Sequence, residues 1–292
     1  MTDLEFTPVV IIGAGRSGTN MLRDVITKLE NFETWPCDEI NPIWRHRNID
    51  WPNDEIPPER AAESRAYIRR AFTRIWVETG KPLFVVEKTC ANSLRIPFVN
   101  AVIPEAKYIH IIRDGVDVVA SAQKRWRGEM EIAPLSYYWA KIKYAPWSDL
   151  PLYGWSFLAN RIAMARSNEK RMRIWGPRFA DMDAIRDGGA SLDALCATQW
   201  VRCVEGADTA LTALPDDKTL TLKYEAVTMD PALALDKITR FLGMEYNPSE
   251  IAHAIGNITA HSVGKGRKAL DGDPKQLMDI MRATLTRFGY EG

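Results

Sequence analysis

Residues 9–26, VVIIGAGRSGTNMLRDVI, combine three local patterns in a short segment. It begins with an apolar run typical of a buried strand, continues into a loop with three glycines, and ends in a pattern typical of a helix. A glycine-rich loop between a strand and a helix favours an anion, because its backbone N–H groups and the helix N-terminus point toward the ligand. The stretch therefore predicts an anion site at the end of the first strand.

Further apolar runs alternate with helical patterns along the chain. Strand-like runs occupy residues 83–86, 108–112 and 219–223, and each precedes a helical pattern. Strands that are apolar throughout are covered on both faces, so we expect an α/β fold with a P-loop-like parallel central sheet flanked by helices. We predict a single domain over residues 1–292, in which the tryptophan-rich residues 127–189 form a helical or irregular insertion.

Composition excludes several classes of protein. The chain has 38 Lys and Arg against 38 Asp and Glu, so no net charge draws it to nucleic acid. No apolar segment approaches the ~18 residues of a membrane span, and the acidic N-terminus does not resemble a secretory signal. The four cysteines show neither paired spacing nor a metal-ligand pattern. We therefore expect a cytoplasmic protein.

The glycine loop could be a dinucleotide fingerprint. Gly13, Gly15 and Gly18 satisfy GxGxxG after a strand. The fingerprint also requires a second strand that ends in an acidic residue about 20 positions later. Residues 31–44, NFETWPCDEINPIW, contain two prolines and no apolar strand, which argues against this interpretation.

The same loop could be a damaged ATP site. Its glycine spacing fits GxxxxGK[ST], but Thr19 stands at the lysine position and Asn20 at the position that would hold magnesium. A metal-dependent triphosphate is therefore poorly held. What remains is a phosphate cradle of backbone N–H groups and polar side chains, formed by Gly15, Arg16, Ser17, Gly18, Thr19 and Asn20.

A second segment, AKYIHIIRDGVDVVASAQKRW over residues 106–126, favours another ligand. Its strand places Arg113 at the carboxyl end, and Asp114 can cap the helix that follows. Ser121 and Arg125 follow at helical spacing. Arg113, Ser121 and Arg125 are predicted to form a second phosphate clamp.

Together the two segments resemble the sulfotransferases that use 3'-phosphoadenosine 5'-phosphosulfate (PAPS). The shared features are strand, RSGTxxL, helix, and then strand, RDxxDVxxS, helix. The resemblance implies that the first loop holds the 5'-phosphosulfate and the second clamp the 3'-phosphate. It also implies PAPS as donor without a required metal, since a sulfuryl group carries less charge than a γ-phosphoryl and cationic side chains can replace magnesium.

Three shorter segments extend this resemblance. VVEKTCANSLRIP, residues 85–97, resembles the family's segment that presents a lysine to the donor, which here is Lys88. TLKYEAVTMDPALALDKITRFLGM, residues 221–244, is similar to the segment that places Tyr224 near the nucleotide. HSVGKGRKAL, residues 261–270, resembles the C-terminal basic loop that covers the 3'-phosphate, with Lys265 and Arg267 as candidates.

The resemblance also indicates the general base. Sulfotransferases that act on phenols and steroids carry KTH where this chain has Lys88, Thr89 and Cys90, so their histidine is absent. The chain is closer to the branch that sulfates protein tyrosine or bacterial glycans, in which a glutamate after the first helix is the base. We expect Glu39 in that role. Lys88 and Arg16 would stabilise the charge that develops on the leaving phosphate.

The expected acceptor is a hydroxyl group, with a saccharide favoured because tryptophan and tyrosine rings in the insertion suit sugar stacking. A protein tyrosine or a small-molecule hydroxyl stays open, and a lipid-linked acceptor would make the protein peripheral to a membrane. Two other classes also stay open, a nucleotide-dependent kinase and a non-catalytic nucleotide-binding protein.

Overall fold

A five-stranded parallel sheet lies at the centre of the computed structural model, which describes residues 3–127, 141–166, 172, 174–256, 258, 263–266 and 274–290. The strand order is β2-β3-β1-β4-β5, and every neighbouring pair is parallel. The strands are β1 (Thr7–Ile12), β2 (Phe32–Thr34), β3 (Phe84–Lys88), β4 (Lys107–Ile112) and β5 (Thr219–Lys223). The predicted α/β class with a parallel sheet is confirmed.

The edge strand β2 was not expected from the sequence. The sequence analysis predicted no apolar strand in residues 31–44, but Phe32–Thr34 forms a short strand that pairs with β3. The strand has three residues and an exposed Glu33 at its centre, so it lacks an apolar run. The strand order nevertheless differs from that of a dinucleotide fold, because β3 lies beside β1, whereas the dinucleotide fold has β2 at that place.

Helices cover the sheet and connect its strands. In chain order they are α1 (Thr19–Ile26), α2 (Asn41–Trp44), α3 (Ala61–Glu78), α4 (Ile96–Val102), α5 (Gly115–Trp126), α6 (Leu150–Arg166), α7 (Met182–Asp187), α8 (Leu192–Thr212), α9 (Tyr224–Met229), α10 (Pro231–Phe241), α11 (Pro248–Ile255) and α12 (Pro274–Arg287). None of the helices within the described ranges is long and apolar enough to cross a membrane.

Both faces of the sheet are buried, as its apolar strands require. Val10 and Ile12 of β1 pack into one hydrophobic cluster with helices α3 and α4. Val9 and Ile11 pack on the opposite face with α1 and α10. This alternation along one strand is the consequence of the two-residue period of a β-strand, and it leaves the carboxyl edge of the sheet for polar groups.

Helix α5 begins directly after β4, and its start is held from two sides. The Asp114 side chain caps the helix by accepting a hydrogen bond from the Val116 N–H at 2.8 Å. The Asp114 N–H donates to Glu225 at 3.0 Å, and the Tyr290 hydroxyl donates to the other Glu225 oxygen at 2.8 Å. Because Arg113 precedes this cap, its backbone position is fixed at the strand end.

Candidate active site

A cleft with a volume of about 680 Å³ opens at the carboxyl edge of the sheet. Segments that follow all five strands can contribute to it, because parallel strands end at the same edge. Among the predicted site residues, those that line it are Gly15, Arg16, Gly18, Thr19, Asn20, Glu39, Lys88, Arg113, Ser121, Arg125, Tyr224 and Lys265. The fold thus brings together groups far apart in the sequence, and their roles in binding and catalysis stay predictions.

The glycine loop joins β1 to α1 in a strained backbone conformation. Arg16 has a φ of 74° and Gly18 a φ of 89°, both in the left-handed region. Gly18 is also the N-cap of α1, and a Cβ at this position would overlap the Tyr224 ring. The first N–H groups of α1 have no partner inside the helix, so the loop presents an anion-binding helix end to the cleft.

Substituting Gly18 tests this local geometry. A left-handed φ costs an alanine about 1–2 kcal/mol, and overlap with a packed ring adds about 1–3 kcal/mol. We expect Gly18→Ala to lower the free energy of unfolding by about 2–5 kcal/mol, measured by urea denaturation. Gly80 is a matched control, since its φ is 88° and an added Cβ would meet no other atom within 4 Å. Equal losses for Gly18→Ala and Gly80→Ala would contradict the packing argument.

Ser17 differs from the other residues of the loop. Its side chain is fully buried and does not line the cleft. The Ser17 N–H donates to the Ala14 carbonyl at 3.1 Å, and its hydroxyl has no hydrogen-bond partner within the described ranges. The contact of this hydroxyl with a phosphate stays a prediction, since Ser17 is not among the described residues that line the cleft.

Glu39 and Lys88 form an ion pair in the cleft. Lys88 Nζ lies 3.0 Å from Glu39 Oε1, and the Cys90 N–H donates to the same oxygen at 3.3 Å. The Lys88 side chain is 3% exposed and that of Glu39 is 32% exposed. The Lys88 side chain is therefore buried at the end of β3, whereas the Glu39 carboxylate is partly exposed in the cleft.

The ion pair fixes the charge of both partners. Burial raises the pKa of Glu39, but the charge and hydrogen bond of Lys88 outweigh it, so the pKa lies below its ordinary value of 4.5. Burial lowers the pKa of Lys88, and the Glu39 charge reverses this to a net increase. Burial followed by the Glu39 charge raises the pKa of the Cys90 thiol to about 12. Glu39 is thus a carboxylate at neutral pH, whereas Cys90 stays a thiol.

Three arginines, Arg16, Arg113 and Arg125, line the other part of the cleft and are called the arginine cluster below. Arg16 Nε donates to the Ser121 hydroxyl at 2.9 Å, and Arg113 donates to the Arg16 carbonyl at 3.2 Å. Burial, followed by the charges of Arg125 and Arg113, lowers the pKa of Arg16. Like charges at close range repel, so a bound anion would relieve the repulsion. This arrangement suits a phosphate group.

Tyr224 and Lys265 complete the cationic part of the cleft. The Arg113 guanidinium lies 4.4 Å from the centre of the Tyr224 ring, a cation–π contact that orients it. Lys265 lines the same cleft from the C-terminal part of the chain. Arg267, the second basic residue predicted there, lies outside the described residues.

Some cleft residues were missed by the sequence analysis. Lys124 lies next to Arg125 on α5, and its place in a basic helical run is a signal that could have found it. Lys141 and Trp175 also line the cleft, but they come from the insertion and no local motif marks them. Trp175 lies over the glycine loop, since a Cβ on Gly15 would lie 3.2 Å from its ring.

The other tryptophans of this region have different environments. Trp126 is fully buried in the core, whereas Trp147 and Trp155 are 79% and 71% exposed. Trp139 lies outside the described residues. The described parts of residues 127–189 contain α6 and α7 and no strand, in keeping with the interpretation as a helical or irregular insertion.

No metal centre is evident in the part of the chain that the structure describes. There, no three His, Cys, Asp or Glu side chains come close enough to hold a metal ion. The side chains available to an anionic ligand are instead the arginines and lysines of the cleft.

Comparison with known protein families gives a match over nearly half of the chain. A family model described as "Sulfotransferase family" matches residues 8–149, a segment that extends from β1 past β4 and includes both predicted phosphate clamps. A search of curated protein sequences found no match.

Solved structures share the fold over nearly the whole chain. The sulfotransferase domain of the Synechococcus PCC 7002 olefin synthase is 14% identical with a TM-score of 0.55, covering 100% of this chain and 98% of that one. A Mycobacterium avium sulfotransferase is 13% identical with a TM-score of 0.56, covering 98% and 78%. The sulfotransferase domain of the curacin biosynthetic pathway is 13% identical with a TM-score of 0.53, covering 99% of both chains. At these identities the likeness concerns the fold.

Proposed function

The chain belongs to the sulfotransferase family, and we propose that it transfers a sulfuryl group from PAPS to a hydroxyl group of an acceptor. The observation that carries the proposal is a single cleft in which the glycine loop lies next to both the Glu39–Lys88 pair and the arginine cluster. Thr19 of the loop lies beside Cys90 at the Glu39–Lys88 pair, with 3.7 Å between Oγ1 and Sγ. Arg16 of the same loop contacts Ser121 in the arginine cluster.

The donor has two anionic ends, which suits this arrangement. The arginine cluster would hold the 3'-phosphate, with Arg113, Ser121, Arg125 and Lys265 as its donors. The glycine loop and the start of α1 would hold the 5'-phosphosulfate. When bound, the donor supplies the sulfuryl group.

The chain's own residues would then carry the proton and the charge. The acceptor oxygen forms a bond to sulfur while the bond from sulfur to the bridging oxygen breaks. The hydroxyl proton passes to the Glu39 carboxylate, and the electron pair of the broken bond stays on the 5'-phosphate. Lys88 and Arg16 stabilise this charge. Positioning and electrostatic stabilisation supply most of the rate acceleration in such an in-line transfer.

For the acceptor we propose a saccharide, bound by the insertion of residues 127–189. Lys141 and Trp175 of this insertion line the cleft together with Asp38, the neighbour of Glu39. An indole ring can stack on a sugar ring, and charged side chains can hydrogen-bond its hydroxyl groups. As part of the same proposal we place the reaction in the cytoplasm, since all four cysteines are free thiols.

A transfer assay with radiolabelled PAPS tests the proposed function. The full chain is incubated with a panel of oligosaccharides, tyrosine-containing peptides and small phenols or alcohols, and with ATP and magnesium as a parallel donor. We expect label on a saccharide and no transfer from ATP. Label on a peptide or a small molecule would retain the sulfotransferase and overturn the saccharide. Transfer from ATP without transfer from PAPS would overturn the activity itself.

A further inference from the structure

Asp117, near the start of α5, has no role in the chemistry described so far. Its carboxylate is 3% exposed, and burying a charge is costly unless hydrogen bonds compensate it. Here both oxygens are used. Oδ2 accepts the Gly264 N–H at 2.8 Å, and Oδ1 accepts the Gly266 N–H at 2.6 Å. The carboxylate thus joins α5 to a segment almost 150 positions later in the sequence.

The same carboxylate also contacts the end of β4. Arg113 lies 3.4 Å from Asp117 Oδ2, one turn earlier along the chain. Asp117 therefore connects a predicted ligand of the 3'-phosphate to the C-terminal segment of residues 263–266. A shared carboxylate makes the positions of these two elements depend on each other.

The C-terminal segment lies directly on the first turn of α5. A Cβ on Gly266 would lie 2.5 Å from the Val116 carbonyl oxygen and 2.6 Å from the Asp117 nitrogen. Backbone atoms cannot move away as a flexible side chain can, so only glycine permits this approach. Lys265 stands between the two glycines that bind Asp117, and it lines the cleft.

We propose that Asp117 is a positioning residue, which docks residues 263–266 on α5 and thereby sets Lys265 at the 3'-phosphate end of the donor site. The inference rests on the proposed function, because it takes the cleft as a nucleotide site. Asp117 also lines the cleft, but both oxygens of its carboxylate are bound to Gly264, Gly266 and Arg113, so it acts through these partners. Its loss should therefore weaken nucleotide binding and leave the transfer step itself largely intact.

The test uses the full chain with the substitution Asp117→Asn. The amide oxygen of asparagine can accept one N–H, but its NH₂ group then faces the other N–H. Since hydrogen bonds to a charged acceptor are the stronger kind, we expect the dissociation constant of 3'-phosphoadenosine 5'-phosphate (PAP) to rise by about tenfold or more. We also expect a higher KM for PAPS, a kcat close to wild type, and faster hydrogen exchange at the Gly264 and Gly266 amides.

A second variant separates docking from the contact with Arg113. Gly266→Ala keeps the carboxylate and its arginine partner but blocks the close approach to Val116. We expect it to reproduce the weaker PAP binding and the faster exchange. The double variant should bind PAP no more weakly than the weaker of the two single variants, because both remove the same contact.

Two results would count against different proposals. Wild-type affinity for PAP in both variants, or unchanged exchange at the two glycine amides, would overturn the role of Asp117. A wild-type chain that does not bind PAP would instead contradict the proposed function, and the exchange data would then report only on the docking contact.

Discussion

Replacing Glu39 with glutamine is expected to lower kcat by about 10²–10⁴-fold, the range that a general base contributes. The amide has nearly the shape of the carboxylate but cannot accept the acceptor proton. It can still accept the Cys90 N–H, so the local fold should persist. The measurement is kcat for sulfuryl transfer at saturating PAPS, with calorimetric titration of PAP to show that nucleotide affinity stays within about twofold.

The neighbouring carboxylate provides the matched control. Asp38 lines the same cleft and is 42% exposed, but it forms an ion pair with Arg23 at 3.5 Å. We expect Asp38→Asn to change the KM for the acceptor more than kcat. A Glu39→Gln enzyme with near-normal kcat, or a larger kcat loss in Asp38→Asn, would show that Glu39 is not the base.

Replacing Lys88 with methionine is expected to lower kcat by about 10²–10³-fold, as removal of one charge-stabilising donor does in other enzymes. Methionine matches the length of the lysine stem, so the packing around β3 is largely kept. The loss should appear in kcat more than in the KM for PAPS, because the positive charge is required mainly when charge develops on the leaving phosphate.

The Lys88→Met variant should also change the pH dependence of kcat/KM. Glu39 must be deprotonated to act as a base, so kcat/KM falls as the pH drops through its pKa. In the wild type Lys88 holds that pKa below 4.5 against the opposing effect of burial. Without Lys88 only the hydrogen bonds from Cys90 oppose the effect of burial, so the pKa of Glu39 rises and the acidic limb of kcat/KM moves to higher pH.

Lys124→Met provides the control for this shift. Lys124 lies in the same cleft, but the cation paired with Glu39 is Lys88. We therefore expect the acidic limb of Lys124→Met to stay where it is in the wild type. An unshifted limb in Lys88→Met, measured as kcat/KM between pH 4 and pH 8, would contradict the proposed assignment of the base.

The parts of the site that follow strand ends could be predicted from the sequence. A glycine loop after β1, Lys88 at the end of β3 and Arg113 after β4 must meet at one edge, because parallel strands all end there. Apolar runs identify such strands. Glu39 follows β2, which has no apolar run, so its prediction depended on the resemblance to the family, as did the role given to Lys88.

Other parts could not be predicted because they depend on contacts between distant segments. Strand β2 exists by pairing with β3, since three residues around an exposed Glu33 carry no pattern of their own. Trp175 lines the cleft because of the way the insertion folds, and no local sequence pattern predicts that position. The docking of Gly264 and Gly266 on Asp117 is made by backbone N–H groups, which every residue except proline has, so the sequence contains no signal for it.

A donor site with two anion clamps should recognise the 3'-phosphate of the nucleotide, and calorimetric titration of the full chain measures this recognition. PAP is titrated beside adenosine 5'-phosphate, which has the same structure without the 3'-phosphate. Because hydrogen bonds to charged groups contribute about 1.5–3 kcal/mol each, we expect PAP to bind at least about tenfold more tightly. Equal affinity for the two nucleotides would mean that Arg113, Ser121 and Arg125 form no phosphate clamp, and it would contradict the proposed donor site.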